Sequence, residues 1–451
     1  MVRLAWPMVV IQLLQVAYNL ADTFWLGRFS ANAVAALSIA FPLIFFLISV
    51  GGGFTTAGSI LVAQYTGAES EESAGKVAAQ TLGFVTVLAT VLGIVGHFVT
   101  VDMLALLPAD QQTQQLVIPL AADYMRVFFL GMPALFGFFV FSALMRGYGN
   151  TRTPMLIMFG SVAINVVLDP LLIFGWFGFP ALGIQGAAIA TIVARFAAAL
   201  VGVYVLLWTD AGPTISLPDF RPDFPLIQKV VRVGTPSAAE QSTSALAMIT
   251  LTAMVASFPP AVVAAFGLGN RLISLVFLPA MGLGRATNTM VGQNLGAQNP
   301  DRAERAVWLA VKVVGAVLLA VAVVAALVPR PIVSVFLSPD VPNAAQTIEY
   351  GATYLRIRSV EFLFIGVLQV LLGAFRGAGD TKTAMVISMV TLWLGRVPTV
   401  YFFAFVLGWG ALGIWVGMAF GNITGAIVAG LWFTRGTWRR TLVEDADESV
   451  G

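Results

Sequence analysis

The chain has 451 residues, of which 59% are hydrophobic and 10% charged, with a net charge of +2 and a mean hydropathy of +0.90. A soluble domain carries roughly 25% charged residues, so this composition excludes a water-soluble globular protein and specifies one integral to a membrane. With no cysteine and a single histidine, His97, the chain has no disulfides, thiolate nucleophiles or clustered soft ligands for a metal.

Uncharged apolar stretches of about 20 residues recur from end to end, each long enough to cross a ~30 Å hydrocarbon core as an α-helix. The alternating ~10-residue segments of a β-barrel are absent. Apolar sequence begins directly after Arg3 with no small-residue cleavage site, so the first stretch reads as a spanning helix rather than a signal peptide. The expected fold is therefore an all-α polytopic membrane protein with twelve spans, over 4–27, 34–63, 77–101, 121–145, 154–175, 183–208, 234–258, 262–292, 306–328, 346–375, 384–407 and 412–434. On this map one side holds both termini and most connecting basic residues, among them Lys76, Arg146, Arg152, Lys382 and Arg435; the opposite loops carry Arg28 and Arg330. The positive-inside rule then places both termini in the cytoplasm of a multi-pass cell-membrane protein.

In the first span Gln12, Gln15, Asn19 and Asp22 fall within an arc of about 80° on a helix. Such a face looks into protein or a watery cavity, because a polar group in lipid costs several kcal/mol. The amides suit interhelical hydrogen bonds, but a carboxylate at this depth must be ion-paired, hydrogen-bonded, cation-bound or protonated. In the second span Gly51, Gly52, Gly53 and Gly58 allow close helix packing. On the fourth, Asp123 and Arg126 stand three apart, the spacing of a helix-face ion pair.

The fifth span contains "INVVLDPLLIFG", in which Asn165 and Asp169 share a face and Pro170 frees the carbonyl of Val166. Carboxylate, carboxamide and carbonyl oxygens are hard ligands suited to Na⁺, and the same carboxylates could take up a proton instead. Cation binding and proton binding become competing states of one site.

The segment 209–225 holds four prolines and no helical periodicity, as a linker between halves would. Beyond it the sequence starts over. The stretch from Val34 overlays that from Val263 without a gap, an offset of 229 residues, and "LMRGYGNTRT" from Leu144 matches "AFRGAGDTKT" from Ala374. The expected domains are a six-helix lobe over 1–208, a cytoplasmic linker over 209–228, a second six-helix lobe over 229–434 and a cytoplasmic tail over 435–451. Because six is even, the halves are parallel repeats, the architecture of alternating access, which points to transport.

The acidic residues are not repeated: Leu251 stands opposite Asp22 and Thr399 opposite Asp169. The second half instead embeds Arg271, Arg285, Arg356, Arg358 and Arg396, for which Glu240 and Glu361 are the available buried partners.

The motifs "NLADTFWLGR", "MRGYGNTRTPM", "INVVLDPLLIFG" and "GIQGAAIAT", together with the parallel repeat, resemble the multidrug and toxic compound extrusion (MATE) family of antiporters. The resemblance implies a V-shaped pair of lobes that exports amphipathic, mostly cationic small molecules in exchange for inward H⁺ or Na⁺. It also implies a monomer in contact with membrane lipid, with no cofactor beyond the coupling ion and no nucleic-acid partner. In the branch called DinF-like, the ion-coupling residues match Asp22, Asn165, Asp169 and Thr191, with Asn19, Gln15 and Gln12 as the supporting polar face and Pro7 as the helix-bending proline. Those four coupling residues are also the expected Na⁺ ligands. Glu240 and Glu361 lie on the helices that carry the NorM-like ion site and, with Arg396, form a secondary C-terminal set.

The competing reading is a flippase or exporter of a lipid-linked oligosaccharide or other polar lipid, whose anionic headgroup would suit the arginines of the second half; Asp22 and Asp169 count against it. No nucleophile, base and metal constellation converges anywhere in the chain, so an enzyme is not expected.

Overall fold

The computed structural model describes residues 2–105, 111–335, 344–439 and 442, and among them there is no strand. In chain order the helices are α1 Val2–Phe29, α2 Ala31–Gly67, α3 Glu71–Ala105, α4 Gln111–Leu116, α5 Ile118–Leu130, α6 Met132–Tyr148, α7 Arg152–Phe174 and α8 Ile184–Trp208. They continue with α9 Phe224–Ala256, α10 Pro260–Gly296, α11 Pro300–Leu327, α12 Pro329–Ser334, α13 Ala344–Ser359, α14 Phe362–Gly377, α15 Thr381–Met389, α16 Val397–Tyr401 and α17 Ala411–Phe433. Among the described residues nine helical stretches are long and apolar enough to cross a membrane, and two bent helix pairs pass together. Phe224–Ala256, which carries the expected seventh span, is not one of them.

Two spans expected as single helices are broken. The fourth bends by 55° between α5 and α6 and the tenth by 50° between α13 and α14. At the first break Gly131 lies between the helices and Pro133 occupies the first turn of α6, where it has no N–H to continue the ladder of α5. The second break, at Glu361, lies 230 residues further on, the offset of the sequence repeat. The eleventh span also departs from a regular α-helix, because Val390–Arg396 and Phe402–Val406 are π-helical turns on either side of α16.

The repeated motif explains repeated turns. In "GYGNTRT" Gly149 adopts φ 103°, a left-handed conformation open to glycine without steric penalty, and Asn150 Oδ1 accepts the Thr153 N–H at 3.1 Å. In "GAGDTKT" Gly379 adopts φ 82° and Asp380 Oδ1 accepts the Thr383 N–H, again at 3.1 Å. Each motif ends one helix and caps the next. Correspondingly α2 and α10 are both 37 residues long and begin 229 residues apart.

The chain forms two compact units, Trp6–Gln241 and Met1–Ala5 with Ser242–Gly451, the division falling inside α9. In the N-terminal unit α2 packs among α3, α5 and α6, and α8 packs on α6 and α7. The segment after α8 is fastened to this unit: buried Gln80 of α3 donates to the carbonyls of Asp219 and Arg221 and accepts from the Asp223 N–H, while Asn150 donates to the Ala211 carbonyl. In the C-terminal unit α14 packs on α10, α11 and α17 around a core centred on fully buried Trp415, which stacks on Phe266 and meets Tyr354 edge-on at 4.7 Å. The pair expected between Asp123 and Arg126 does not form among the described residues; Arg126 is exposed to the surroundings instead.

The glycines of α2 serve packing. A Cβ on Gly53 would overlap the backbone nitrogen and Cα of Ala238, whereas one on Gly83 of α3 would meet nothing within 4 Å. Gly53→Leu is therefore expected to destabilise the purified protein by at least the 1–3 kcal/mol or so typical of overpacking. Gly83→Leu is expected to leave the unfolding temperature unchanged. Differential scanning fluorimetry of both variants checks this, and coincident curves contradict the close contact.

Candidate ion-coupling site

Three helices of the N-terminal unit bring the site together. α7 and α8 are held in register by Ser161, whose hydroxyl donates to the Ala194 carbonyl at 3.1 Å. α1 lies against α7 through its aromatic end, where Trp25 and Phe29 meet Phe174 edge-on at 6.2 and 6.3 Å. Asp22 stands three residues before Trp25 and Asp169 five before Phe174, so this clamp draws both aspartates into the same interior.

Asp22 is 5% exposed, Thr191 4%, and Asn165 and Asp169 are fully buried. The Asn165 amide donates to Asp169 Oδ1 at 3.1 Å, as residues four apart on one helical face can. The Asp22 carboxyl faces Asp169, Asn165 and Thr191, with the guanidinium of Arg195 in Coulombic range. The structure thus assembles from α1, α7 and α8 the four residues read as ion-coupling. Asp22 Oδ1, Asn165 Oδ1, Asp169 Oδ2 and Thr191 Oγ1 are buried and have no hydrogen-bond partner. A buried acceptor without a donor is destabilising by about 1–3 kcal/mol, more if charged, so the Asp22, Asn165 and Asp169 oxygens call for a proton or a small hard cation.

The supporting face of α1 divides. Gln15 turns inward, its Oε1 accepting from Arg195 Nη2 at 2.9 Å, and its Nε2 reaches Asn19 Oδ1 at 3.4 Å. Asn19 itself is exposed rather than part of the cluster, and Gln12 is half-buried. Pro7 is buried in the second turn of α1, which runs from Val2 to Phe29 as one helix.

Two participants escaped the sequence reading. Arg195, 2% exposed, lies one turn beyond Thr191 on α8; its guanidinium donates to Met158 Sδ at 2.9 Å as well as to Gln15, and it stacks 4.6 Å from the centre of the Tyr18 ring. Tyr18, one turn before Asp22, adds a fifth unpartnered buried oxygen. The signal was available: an arginine four residues after Thr191 in apolar sequence belongs on the threonine's helical face.

In the C-terminal unit Glu361 pairs with Arg358 and accepts from Asn422 Nδ2 at 3.0 Å, so both of its oxygens are used. Arg358 also donates to Met418 Sδ at 3.1 Å. Arg396 is half-buried and within Coulombic range of this pair. Glu240, 4% exposed, belongs to the other compact unit, so Glu240, Glu361 and Arg396 are not gathered within one unit. Thr399, opposite Asp169 in the repeat, has its hydroxyl within donating reach of the backbone carbonyls of Gly395, Arg396 and Gly417 and brings no carboxylate to the position.

The model of the MatE family matches this chain twice, over residues 7–171 and 236–402. The chain belongs to the MatE family. The two matches begin 229 residues apart, the offset of the repeat. The MatE chain is 32% identical over 420 residues to the probable multidrug resistance protein YoeA of Bacillus subtilis, covering 91% of itself and 88% of that protein. Its fold matches a solved MATE structure in complex with MaL6 with a TM-score of 0.87 at 26% identity, over 96% and 94% of the two chains. It matches a MOP superfamily transporter from Pyrococcus furiosus with a TM-score of 0.85 at 26% identity, over 98% and 96%. The family is one of multi-pass membrane transporters for multidrug efflux, not of enzymes.

In this MatE protein the Arg195 guanidinium and the Asp22 carboxylate are expected to support one another. Unfolding of Asp22→Asn, Arg195→Gln and the double variant should show a coupling of about 0.5–3 kcal/mol between the two sites. Single-variant effects that add to within about 0.3–0.5 kcal/mol mean that the two charges stand apart energetically.

Proposed function

We propose that this chain is a secondary active antiporter of the DinF-like branch, exporting amphipathic organic cations in exchange for inward H⁺ or Na⁺ by alternating access. In this reading it acts as a monomer in the cell membrane with both termini in the cytoplasm. Its lobes span 1–208 and 229–434, joined by the linker 209–228 and followed by the tail 435–451. The observation that carries the proposal is the set of unpartnered buried oxygens around Asp22, supplied by Asn165, Asp169, Thr191 and Tyr18.

The coupling follows from charge. With both aspartates ionised and Arg195 beside them, the cluster holds one negative charge in excess, and a proton or Na⁺ cancels it. A proton occupies one carboxyl; Na⁺ draws on carboxylate, carboxamide and hydroxyl oxygens together. Either ion removes the attraction that a cationic substrate would feel, so ion and substrate favour different states. A few kcal/mol of differential affinity is enough to shift a near-balanced equilibrium between them.

The test is efflux of a fluorescent organic cation from proteoliposomes under separately imposed H⁺ and Na⁺ gradients. Wild-type protein is expected to respond to one gradient, which names the ion, and Asp22→Asn and Asp169→Asn are expected to abolish that response while remaining monodisperse. Transport by both variants at the wild-type rate would place coupling elsewhere in the chain.

A further inference from the structure

The two buried polar clusters leave different bonds unmade. Around Asp22 the unpartnered atoms are carboxylate, carboxamide and hydroxyl oxygens together with Arg195 Nε, whereas near the Arg358–Glu361 pair of the C-terminal unit they are N–H donors. Arg396 Nε is buried without a hydrogen-bond partner, and among the described residues its guanidinium takes part in no ion pair. Close to the same cluster Trp415 Nε1, on a fully buried ring packed against Tyr354, also lacks an acceptor.

The charges do not balance either. Arg358 and Glu361 neutralise one another, and both Glu361 oxygens are engaged, by Arg358 and by Asn422. Arg396 therefore receives only longer-range attraction from Glu361, opposed by Arg358. It lies well inside the apolar stretch Thr381–Val406, where an uncompensated charge is costly. It also closes the π-helical turn Val390–Arg396, a local widening that is often found at functional sites. A backbone distortion that ends on a cation without an ion-pair partner is a receptor for negative charge.

We infer that Arg396, backed by the Arg358–Glu361–Asn422 network, binds an anionic group, a carboxylate or phosphate, of a ligand that enters the C-terminal unit. Arg396 supplies charge and a planar set of donors, the geometry that suits carboxylate and phosphate oxygens. Glu361 is a positioning residue that keeps Arg358 neutralised, so that one positive charge remains for the ligand. The inference does not depend on the coupling role of Asp22: it concerns a different cluster and is read by equilibrium binding without any gradient.

The experiment measures binding of octanoate and of its uncharged counterpart octanamide to the full-length protein in phosphatidylcholine nanodiscs, by calorimetry. Octanoate is expected to bind about tenfold more tightly than octanamide, the size of a charge-assisted contact. Arg396→Gln should erase that preference while leaving octanamide binding intact, which shows the protein folded, and Arg396→Lys should retain part of it. Equal binding of the two probes by wild type, or an undiminished preference in Arg396→Gln, overturns the inference. In phosphatidylglycerol nanodiscs, loss of octanoate binding assigns the site to a lipid headgroup, and its retention assigns it to a free carboxylate.

Discussion

In hydrocarbon no solvent is at hand to satisfy a polar group, and the rest of this structure depends on that constraint. It forces the backbone into helices whose hydrogen bonds are internal, and it forces each embedded side-chain dipole or charge to find company inside the protein. Most do so in small ways: Thr55, Thr100 and Thr391 return their hydroxyls to carbonyls of their own helices. Against that background the clusters around Asp22 and Arg396 stand out, because satisfaction there is incomplete.

The N-terminal cluster also shows how a charge can be kept in the membrane without being spent in an ion pair. Arg195 is held by the Gln15 amide oxygen, the Met158 thioether and the Tyr18 ring, all neutral groups. Its charge therefore acts through space on Asp22 while the Asp22 oxygens stay open to another partner. In the C-terminal unit the buried arginine Arg358 is instead bound directly to a carboxylate, Glu361, and Arg396 is left beside that pair. One architecture thus holds two electrostatic designs, consistent with a repeat whose acidic positions were not duplicated.

Much of this was legible in the sequence because the membrane exaggerates the signals. Apolar runs mark helices, and an aspartate such as Asp22 or Asp169 in such a run marks a site. The repeat was readable because the "GYGNTRT" and "GAGDTKT" turns need the same glycine and cap chemistry. What stayed hidden depends on tertiary geometry. The spacing of Arg195 from Thr191 puts it on the right face of α8, but its contacts with Gln15 and Tyr18 of α1 and Met158 of α7 are set across helices and are not disclosed by any spacing. Asn19 shares a helical face with Asp22 yet is exposed, since an arc of about 80° is wide enough for one edge to escape burial. The bend at Glu361 has no proline to announce it, and the π-helical turns, which pack against α17, lie on either side of the short helix that holds Pro398. Proline and turn composition in 209–225 described its irregular backbone but not the anchoring by Gln80.

The identical length of α2 and α10 bears on how such a chain can change over time. Inserting one residue into a helix rotates everything beyond it by about 100°, which would carry a buried face such as that of Gly53 out toward lipid. Replacing a residue leaves the rotation untouched. Substitution is therefore the freer path inside these helices, while gain or loss of residues is tolerated chiefly in the connections. Two copies can consequently drift apart in the charges they bury while a pair of helices such as α2 and α10 still starts and stops in step.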